Sequence, residues 1–370
     1  MIEKIYQDVL NTFKDDKKRL KHIIGVKETA IKLAKQFDVD ESKLTLAAYL
    51  HDITKGKPLY YHKKMIETHF SKDIIEAYSA PLYHAFSAAA YAKVHYGIED
   101  EDILNAIKHH TVGRPGMPSI EKILFISDYI EPNRPYKICH QVRDIAFKDV
   151  DLAIYQATDH SINLFAKQKH VIPKIAYATR DYYQVSSKQY DAFETERLKG
   201  YFAKKADAEI FHRWWRDGEL MASVGFEDGI NISQSQIEKQ FEQMLLNVDS
   251  TKVFIVYDKK THQPIAEASF GEFDPKKRSA RIGLKICDLD KQGKGYGKEL
   301  VLGLIRFLKT RYHVKTVLID TLSKNKPAQN LYESIGAIIT EVKKDFWQDP
   351  KGHWHDAIFY RLEGDAYEKA

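Results

Sequence analysis

Eleven of the sixteen histidines in this 370-residue chain precede residue 190, and several sit where a solvated side chain would not be placed. Imidazole is the commonest metal-ligating side chain. His51 stands one turn after Ala47 and Ala48, with Asp52 directly behind it. His110 stands one turn after Ala106 and Ile107, and Asp128 one turn after Leu124 in the run 123–130, ILFISDYI. A carboxylate on such an apolar face is costly unless it is paired or metal-bound. One histidine of this kind, read alone, is ordinarily a hydrogen-bonded core residue, and Asp128 alone is ordinarily half of a helix-packing ion pair. The adjacent His51-Asp52 pair shifts that balance, because it offers one nitrogen and one oxygen ligand from consecutive positions. An upstream histidine and a downstream aspartate would complete a mixed N/O site. Such a set suits a first-row divalent ion rather than a closed structural zinc, which prefers thiolates.

A second chemistry-bearing segment lies far downstream. Gln292-Gly293-Lys294-Gly295-Tyr296-Gly297-Lys298 follows the β-rich run 280–286 and precedes an amphipathic stretch with Leu300, Leu304, Phe307 and Leu308 on one face. Between a strand and a helix, a glycine loop can turn its backbone N–H groups towards a phosphate, and the missing side chains let the anion come close. The bland alternative is a plain helix N-terminal turn. A dinucleotide fingerprint is excluded, since no βαβ unit with a following acidic residue surrounds the loop.

The elements that must position these residues differ between the two halves. Up to about residue 185 the apolar positions recur at helical spacing, as in Val26, Ala30, Leu33, Ala34 and Phe37, or Ile103, Ala106, Ile107 and His110. Beyond the polar stretch 184–189 the pattern changes. The runs 252–258 (KVFIVYD), 264–270 (PIAEASF), 280–286 (ARIGLKI) and 316–322 (TVLIDTL) are short and β-rich, and Thr261-His262-Gln263-Pro264 reads as a hairpin turn. The expected organisation is an all-α domain over 1–189 followed by an α+β domain with a mixed central sheet over 190–370. The length allows two full cores. A net charge of +5 is too mild for a nucleic-acid-binding protein and suits two domains that each hold a polyphosphate. The two cysteines, Cys139 and Cys287, are far apart, which points to a reducing cytoplasm. Met1-Ile2-Glu3-Lys4 opens no apolar leader, and no stretch is long enough for a membrane span.

In the first half, His22, His51-Asp52 and Asp128 follow the H…HD…D order of HD-domain phosphohydrolases. The segments around them resemble the bacterial YqeK family more closely. They are His22-Ile23-Ile24-Gly25-Val26, Leu50-His51-Asp52-Ile53-Thr54-Lys55, His110-Thr111-Val112-Gly113-Arg114-Pro115 and Ser127-Asp128-Tyr129-Ile130-Glu131-Pro132. The resemblance covers residues 1–185. It implies an all-α domain that holds iron through His22, His51, Asp52 and Asp128 and cleaves diadenosine tetraphosphate symmetrically into two ADP. It also places His84 and His110 near the nucleotide phosphates as donors or general acids. Arg114 offers a fork to phosphate oxygens and Lys55 a catalytic point charge, against the plainer readings of a solvated loop arginine and a helix C-terminal charge, and Thr111 is a further nucleotide contact. Other HD substrates, such as a dNTP or a guanosine polyphosphate, stay open.

In the second half, the Gln-x-x-Gly-x-Gly loop and the stretch from Asp320-Thr321-Leu322 through Asn325 and Tyr332 to Gly336-Ala337 resemble the GNAT acetyltransferase superfamily, over residues 190–365. The resemblance implies acetyl-CoA, with its pyrophosphate on the loop Gln292, Gly293, Lys294, Gly295, Tyr296, Gly297 and Lys298. Asn325 would touch the cofactor, and Tyr332 would serve as general acid to the departing thiolate. The acceptor is an amine of unspecified identity. Glu267 and Glu272 are candidate bases, although outward strand positions ordinarily carry such residues. Trp214, Trp215, Trp347 and Trp354 are candidates for an acceptor pocket or for core. A protein that only senses nucleotide and acetyl-CoA is the competing class, and oligomeric state stays open.

Overall fold

The computed structural model describes residues 1–363, and the last seven residues of the second half lie outside them. The chain divides into two compact units, Met1–Gln189 and Tyr190–Ala370.

The first unit is helical throughout. Its helices are α1 (Ile2–Thr12), α2 (Lys17–Phe37), α3 (Glu41–Leu50), α4 (Leu59–His69), α5 (Asp73–Ala77), α6 (Tyr83–Tyr96), α7 (Glu101–His109), α8 (Ser119–Ile130), α9 (Lys137–Ala146), α10 (Val150–Lys167) and α11 (Lys174–Ser186). Aspartates start several of them. Asp16, Asp40, Asp100 and Asp149 each accept a backbone N–H of the first turn of α2, α3, α7 and α10, which satisfies donors that a helix start leaves orphaned. The apolar stripe of α2 buries Val26, Ala30 and Leu33 in one core with Leu44 and Ala47 of α3 and Ile123 and Leu124 of α8. The helix α2 packs against both α3 and α8, and α7 packs against α3, α6 and α8. The four helices that bring His22, His51, His84 and His110 are thereby gathered with α8, which brings Asp128. The helix α11 continues to Ser186, so the polar stretch 184–189 begins as the end of a helix.

The second unit contains β1 (Asp191–Glu194), β2 (Leu198–Phe202), α12 (Ala208–Arg216), α13 (Gly218–Ala222), α14 (Gln234–Met244), β3 (Lys252–Asp258), β4 (Pro264–Asp274), β5 (Ser279–Ile286), α15 (Tyr296–Tyr312), β6 (Thr316–Leu322), α16 (Lys326–Ser334), β7 (Ile338–Gln348) and β8 (Trp354–Glu363). They build an eight-stranded mixed sheet in the order β1-β2-β3-β4-β5-β6-β8-β7. All its pairs are antiparallel except β5–β6. On one face Phe211 and Trp214 of α12 and Ile237 and Phe241 of α14 bury Ile255 of β3. The helix α15 packs on β1 and β5, with Phe307 against Phe193, Phe202 and Phe254. The parallel ladder of β5 and β6 pairs Ser279–Ile282 with Thr316–Ile319 and ends there, although both strands run further. Both cysteines are free and buried. Among the described residues no helix is long and apolar enough to cross a membrane.

Candidate functional sites

In the first unit His22 comes from the first half of α2, His51 and Asp52 from the end of α3, His84 from the start of α6, His110 from the end of α7 and Asp128 from α8. His51 is fully buried and Asp52 2% exposed. Each imidazole is held by its Nδ1. His51 Nδ1 lies 2.7 Å from the Ala48 carbonyl, His110 Nδ1 2.7 Å from that of Ile107, and His84 Nδ1 2.8 Å from that of Pro81. A carbonyl only accepts, so Nδ1 is the donor in each of these contacts and Nε2 is the nitrogen left to face inward. His22 is oriented by a carboxylate instead, with Nδ1 3.2 Å from Glu131 Oε1.

The Nε2 atoms turn inward on Asp52. His22 and His51 approach its Oδ2 at 3.8 and 3.7 Å, and His84 and His110 approach its Oδ1 at 3.1 and 3.7 Å. His22 Nε2 is also 3.0 Å from Asp128 Oδ1. Yet His22 Nε2, His51 Nε2 and Asp52 Oδ1 are buried without a hydrogen-bond partner. Buried polar atoms are rarely left so. Here they converge with Asp128 on one small buried volume, as ligand atoms of a cation do. Ligand atoms of His22, His51 and Asp52 lie within 4.8 Å of one another, as do those of Asp52, His84 and His110. The donor set of imidazoles and carboxylates fits a divalent transition metal.

The charges agree with that reading. Burial pushes the His51 imidazole down to about 3 and that of His84 down to about 4. Burial would lower His22 too, but Asp128 and Glu131 override it and raise the ring to about 9. Without an ion, a proton on His22 is the cation that Asp128 and Asp52 face. Burial alone would raise both carboxyls. The imidazoles and guanidinium around them hold Asp52 and Asp128 well below the usual carboxylate range.

A half-exposed basic rim surrounds this centre. Arg19 donates to Asp52 Oδ2. Arg134 Nη2 donates to Asp128 Oδ1 at 2.9 Å, and Lys55 Nζ lies 3.0 Å from His84 Nε2. Sequence reasoning had included Lys55 but missed Arg19, Arg134 and Glu131. A faint signal existed, since Arg19 lies one turn before His22 on the same helix. Thr111 follows His110 in the turn after α7. Arg114 donates through Nε and Nη2, one edge of its guanidinium, to buried Glu121 at 2.8 and 2.6 Å, and Nη1 takes no part in that pair.

Gly25 is explained by this geometry. A Cβ there would lie 2.6 Å from Glu131 Oε2 and 2.9 Å from Asn133 Nδ2. Both Asn133 nitrogens donate to that Oε2, at 2.7 Å from the backbone and 2.8 Å from the side chain, so the carboxylate has little room to retreat. Gly→Ala inside a helix ordinarily stabilises by up to ~1 kcal/mol. Gly25→Ala is instead expected to displace Glu131 from His22 and weaken metal retention by roughly tenfold or more, the usual cost of losing a ligand-orienting partner. Metal analysis after dialysis checks this, and unchanged content would show that His22 does not need Glu131.

In the second unit the glycine loop joins β5 to α15. Gly293 and Gly295 have φ of +68° and +81°, and Gly295 caps the helix. Gln292 Nε2 donates to the Ile286 carbonyl at 3.0 Å, and Tyr296 donates its hydroxyl to Asp258 at 3.0 Å. Lys294, Gly297 and Lys298 line the same turn. Asn325 caps α16, accepting from Ala328 N at 3.2 Å, and its amide donates to the Ser223 carbonyl at 3.3 Å. Tyr332 is buried against Tyr360, and burial raises its phenol above the ordinary value. The candidate bases are both engaged. Glu267 pairs with Lys285 at 3.1 Å and accepts from the Trp215 indole at 2.7 Å, and Glu272 pairs with Arg281 at 2.9 Å. Trp214 is core, while Trp354 is exposed on β8.

Comparison with known proteins agrees with both halves. Residues 19–133 match the HD domain family and residues 201–338 the acetyltransferase (GNAT) domain family. The symmetrical bis(5'-nucleosyl)-tetraphosphatase of Halalkalibacterium halodurans is 41% identical over 161 residues, covering 44% of this chain and 86% of the relative. That of Bacillus subtilis is 37% identical over 153 residues, covering 41% and 82%. Among solved structures, the spermidine N-acetyltransferase from Vibrio cholerae in complex with CoA and spermine aligns at 18% identity over 47% of this chain and 99% of that one, with a TM-score of 0.43. Through its first unit the chain belongs to the family of HD-domain symmetrical bis(5'-nucleosyl)-tetraphosphatases, and its second unit carries a GNAT acetyltransferase domain.

Proposed function

We propose that the first unit hydrolyses diadenosine tetraphosphate to two ADP, using a divalent transition metal, iron, held by His22, His51, Asp52 and Asp128. The observation that carries this reading is the convergence of unpartnered Nε2 and carboxylate atoms beneath a rim of Arg19, Lys55 and Arg134. A divalent ion there supplies Lewis acidity, which acidifies water and polarises a phosphoryl oxygen. The residues do the rest. The rim cations offset the charge of the tetraphosphate. Water attacks one of the two inner phosphorus atoms, the bond to the central bridging oxygen breaks, and the departing ADP oxygen takes a proton. His84 and His110, with Nε2 atoms 3.2 Å apart, are the donors in reach. A bound polyphosphate raises the His84 imidazole that burial had lowered, so its proton would be acquired together with the substrate. Thr111 and Arg114 are assigned to the nucleotide, Arg114 through Nη1, which its pair with Glu121 does not use.

The second unit is assigned the transfer of an acetyl group from acetyl-CoA to an amine. The amine nitrogen bonds to the thioester carbon, the C–S bond breaks, and the thiolate takes a proton. Tyr332, whose raised phenol keeps its proton, is the assigned donor. The unpaired ends of β5 and β6 leave backbone groups free for an extended cofactor arm, and the loop 292–298 is assigned to the pyrophosphate, with Asn325 beside it.

The deciding experiment is chromatographic product analysis after metal-loaded protein meets diadenosine tetraphosphate, dNTPs and guanosine polyphosphates. ADP alone from the first is the expected result. AMP with ATP would contradict symmetrical cleavage, and faster turnover of another nucleotide would reassign the substrate.

A further inference from the structure

The hairpin of β1 and β2 lies almost wholly before the stretch matched by the acetyltransferase family, which begins at residue 201. Its turn, Thr195-Glu196-Arg197, sits against the first turn of α15, and Glu299 is the joint. Thr195 Oγ1 and the Arg197 N–H donate to Glu299 Oε1 at 2.6 and 2.7 Å, and Arg197 Nε donates to Oε2 at 2.5 Å. Gly303 of α15 permits this closeness, since a Cβ there would lie 2.5 Å from Thr195 Cγ2; within the hairpin, a Cβ on Gly200 would lie 2.4 Å from Phe193 Cζ. The hairpin is thus built onto the helix that starts at the glycine loop.

From that anchorage Arg197 reaches the loop itself. Its guanidinium lies over the Tyr296 ring, 4.0 Å from the centroid. Nη1 donates to the Lys294 carbonyl at 3.2 Å, and Nη2 is 3.5 Å from where a Gly295 Cβ would stand. In a trans peptide the carbonyl and the following N–H point in opposite directions. A Lys294 carbonyl drawn towards Arg197 therefore turns the Gly295 N–H away from the hairpin. The N–H groups just beyond it are also free of helix bonds, because the first bond of α15 runs from Glu299 N to the Gly295 carbonyl, at 3.2 Å. Arg197 has an electrostatic effect as well. A carboxylate in the first turn suits the helix dipole but repels a second anion bound at the same terminus. Arg197 offsets the Glu299 charge there.

We propose that Arg197 is a positioning residue of the diphosphate cradle: it orients the 294–295 peptide towards the anion and neutralises Glu299 behind it. The role rests on the reading of the second unit as an acetyl-CoA-binding domain. The test measures affinity for acetyl-CoA and for S-acetylpantetheine, which lacks the diphosphate, in the full chain. Arg197→Ala is expected to weaken acetyl-CoA about tenfold and leave S-acetylpantetheine unchanged, a split that general damage would not give. Arg197→Lys keeps the charge but not the planar fork and should fall between; it also serves if the alanine variant melts early. Adding Glu299→Gln to Arg197→Ala should recover part of the loss. Equal weakening towards both ligands, or none towards acetyl-CoA, overturns the role of Arg197 alone. An unmodified protein that binds no acetyl-CoA overturns the acetyl-CoA reading and this role together.

Discussion

Asp52→Asn is expected to abolish hydrolysis by the first unit, lowering it by roughly 10²–10³-fold or more, the scale of losing a preorganised charge from a reaction site. Asp52 is the carboxylate common to both possible ligand groups, His22–His51–Asp52 and Asp52–His84–His110. It also anchors Arg19. An amide in its place keeps the volume but not the charge that holds a cation among four imidazoles. Metal content should therefore fall together with activity. The asparagine variant is the informative one, since alanine would also open a buried gap between Arg19 and His22 and confound loss of charge with loss of packing. Hydrolysis of diadenosine tetraphosphate, metal analysis and a melting curve together decide the matter. A variant that keeps its metal and its turnover would remove Asp52 from the site. A variant that loses both while melting near the parent confirms a functional loss rather than a folding one.

The pattern of successes and failures in the sequence has physical causes. Helices of the first unit bury one stripe each, so their apolar residues recur at a period that the order of residues exposes. Strands β3 and β6 occupy the central sheet and were bounded to the residue. The strand β1 has four residues, too few for any alternation to register. The strand β7 lies at the sheet edge, exposed almost throughout, and its sequence IITEVKKDFWQ carries no inside-outside code. Its partner β8 went unnoticed with it. The same distinction governs the sites. A histidine or aspartate on an apolar face is conspicuous, which is why His51, Asp52, His110 and Asp128 could be named from their spacing, while His22 and His84 were named through the family resemblance. Arg19, Glu131 and Arg134 are charged residues in places where charge is ordinary. Their meaning depends on contacts such as Glu131 with His22, 109 positions apart, which no local window holds. Glu267 shows the reverse case. Its position on a strand suggested an outward side chain, yet the fold sets it between Lys285 and the Trp215 indole.

For the second unit the largest expected effect is at Gly295, where valine should cut acetyl-CoA affinity by roughly 10–100-fold. The backbone argument comes first. Gly295 has φ +81° and ψ −2°, in the left-handed region. An L-residue there costs ~1–2 kcal/mol, more when β-branched, and every 1.4 kcal/mol is about tenfold in affinity if the strain is relieved by abandoning the bound geometry. Packing within the protein is not the obstacle, because the nearest atom to a Cβ is Arg197 Nη2 at 3.5 Å, an ordinary contact. The side chain would instead occupy space that the pyrophosphate needs and release the peptide that Arg197 holds. A graded series separates these causes. Asparagine tolerates the left-handed region better than alanine, and alanine better than valine. If backbone conformation dominates, calorimetry should rank affinity for acetyl-CoA as Gly295 above Asn, then Ala, then Val. If blocked approach dominates, Asn should be as damaging as Val despite its conformational tolerance. Hydrolysis of diadenosine tetraphosphate by the same variants should be unchanged. Affinity unaltered across the series would place the cofactor elsewhere and leave the loop a plain helix start.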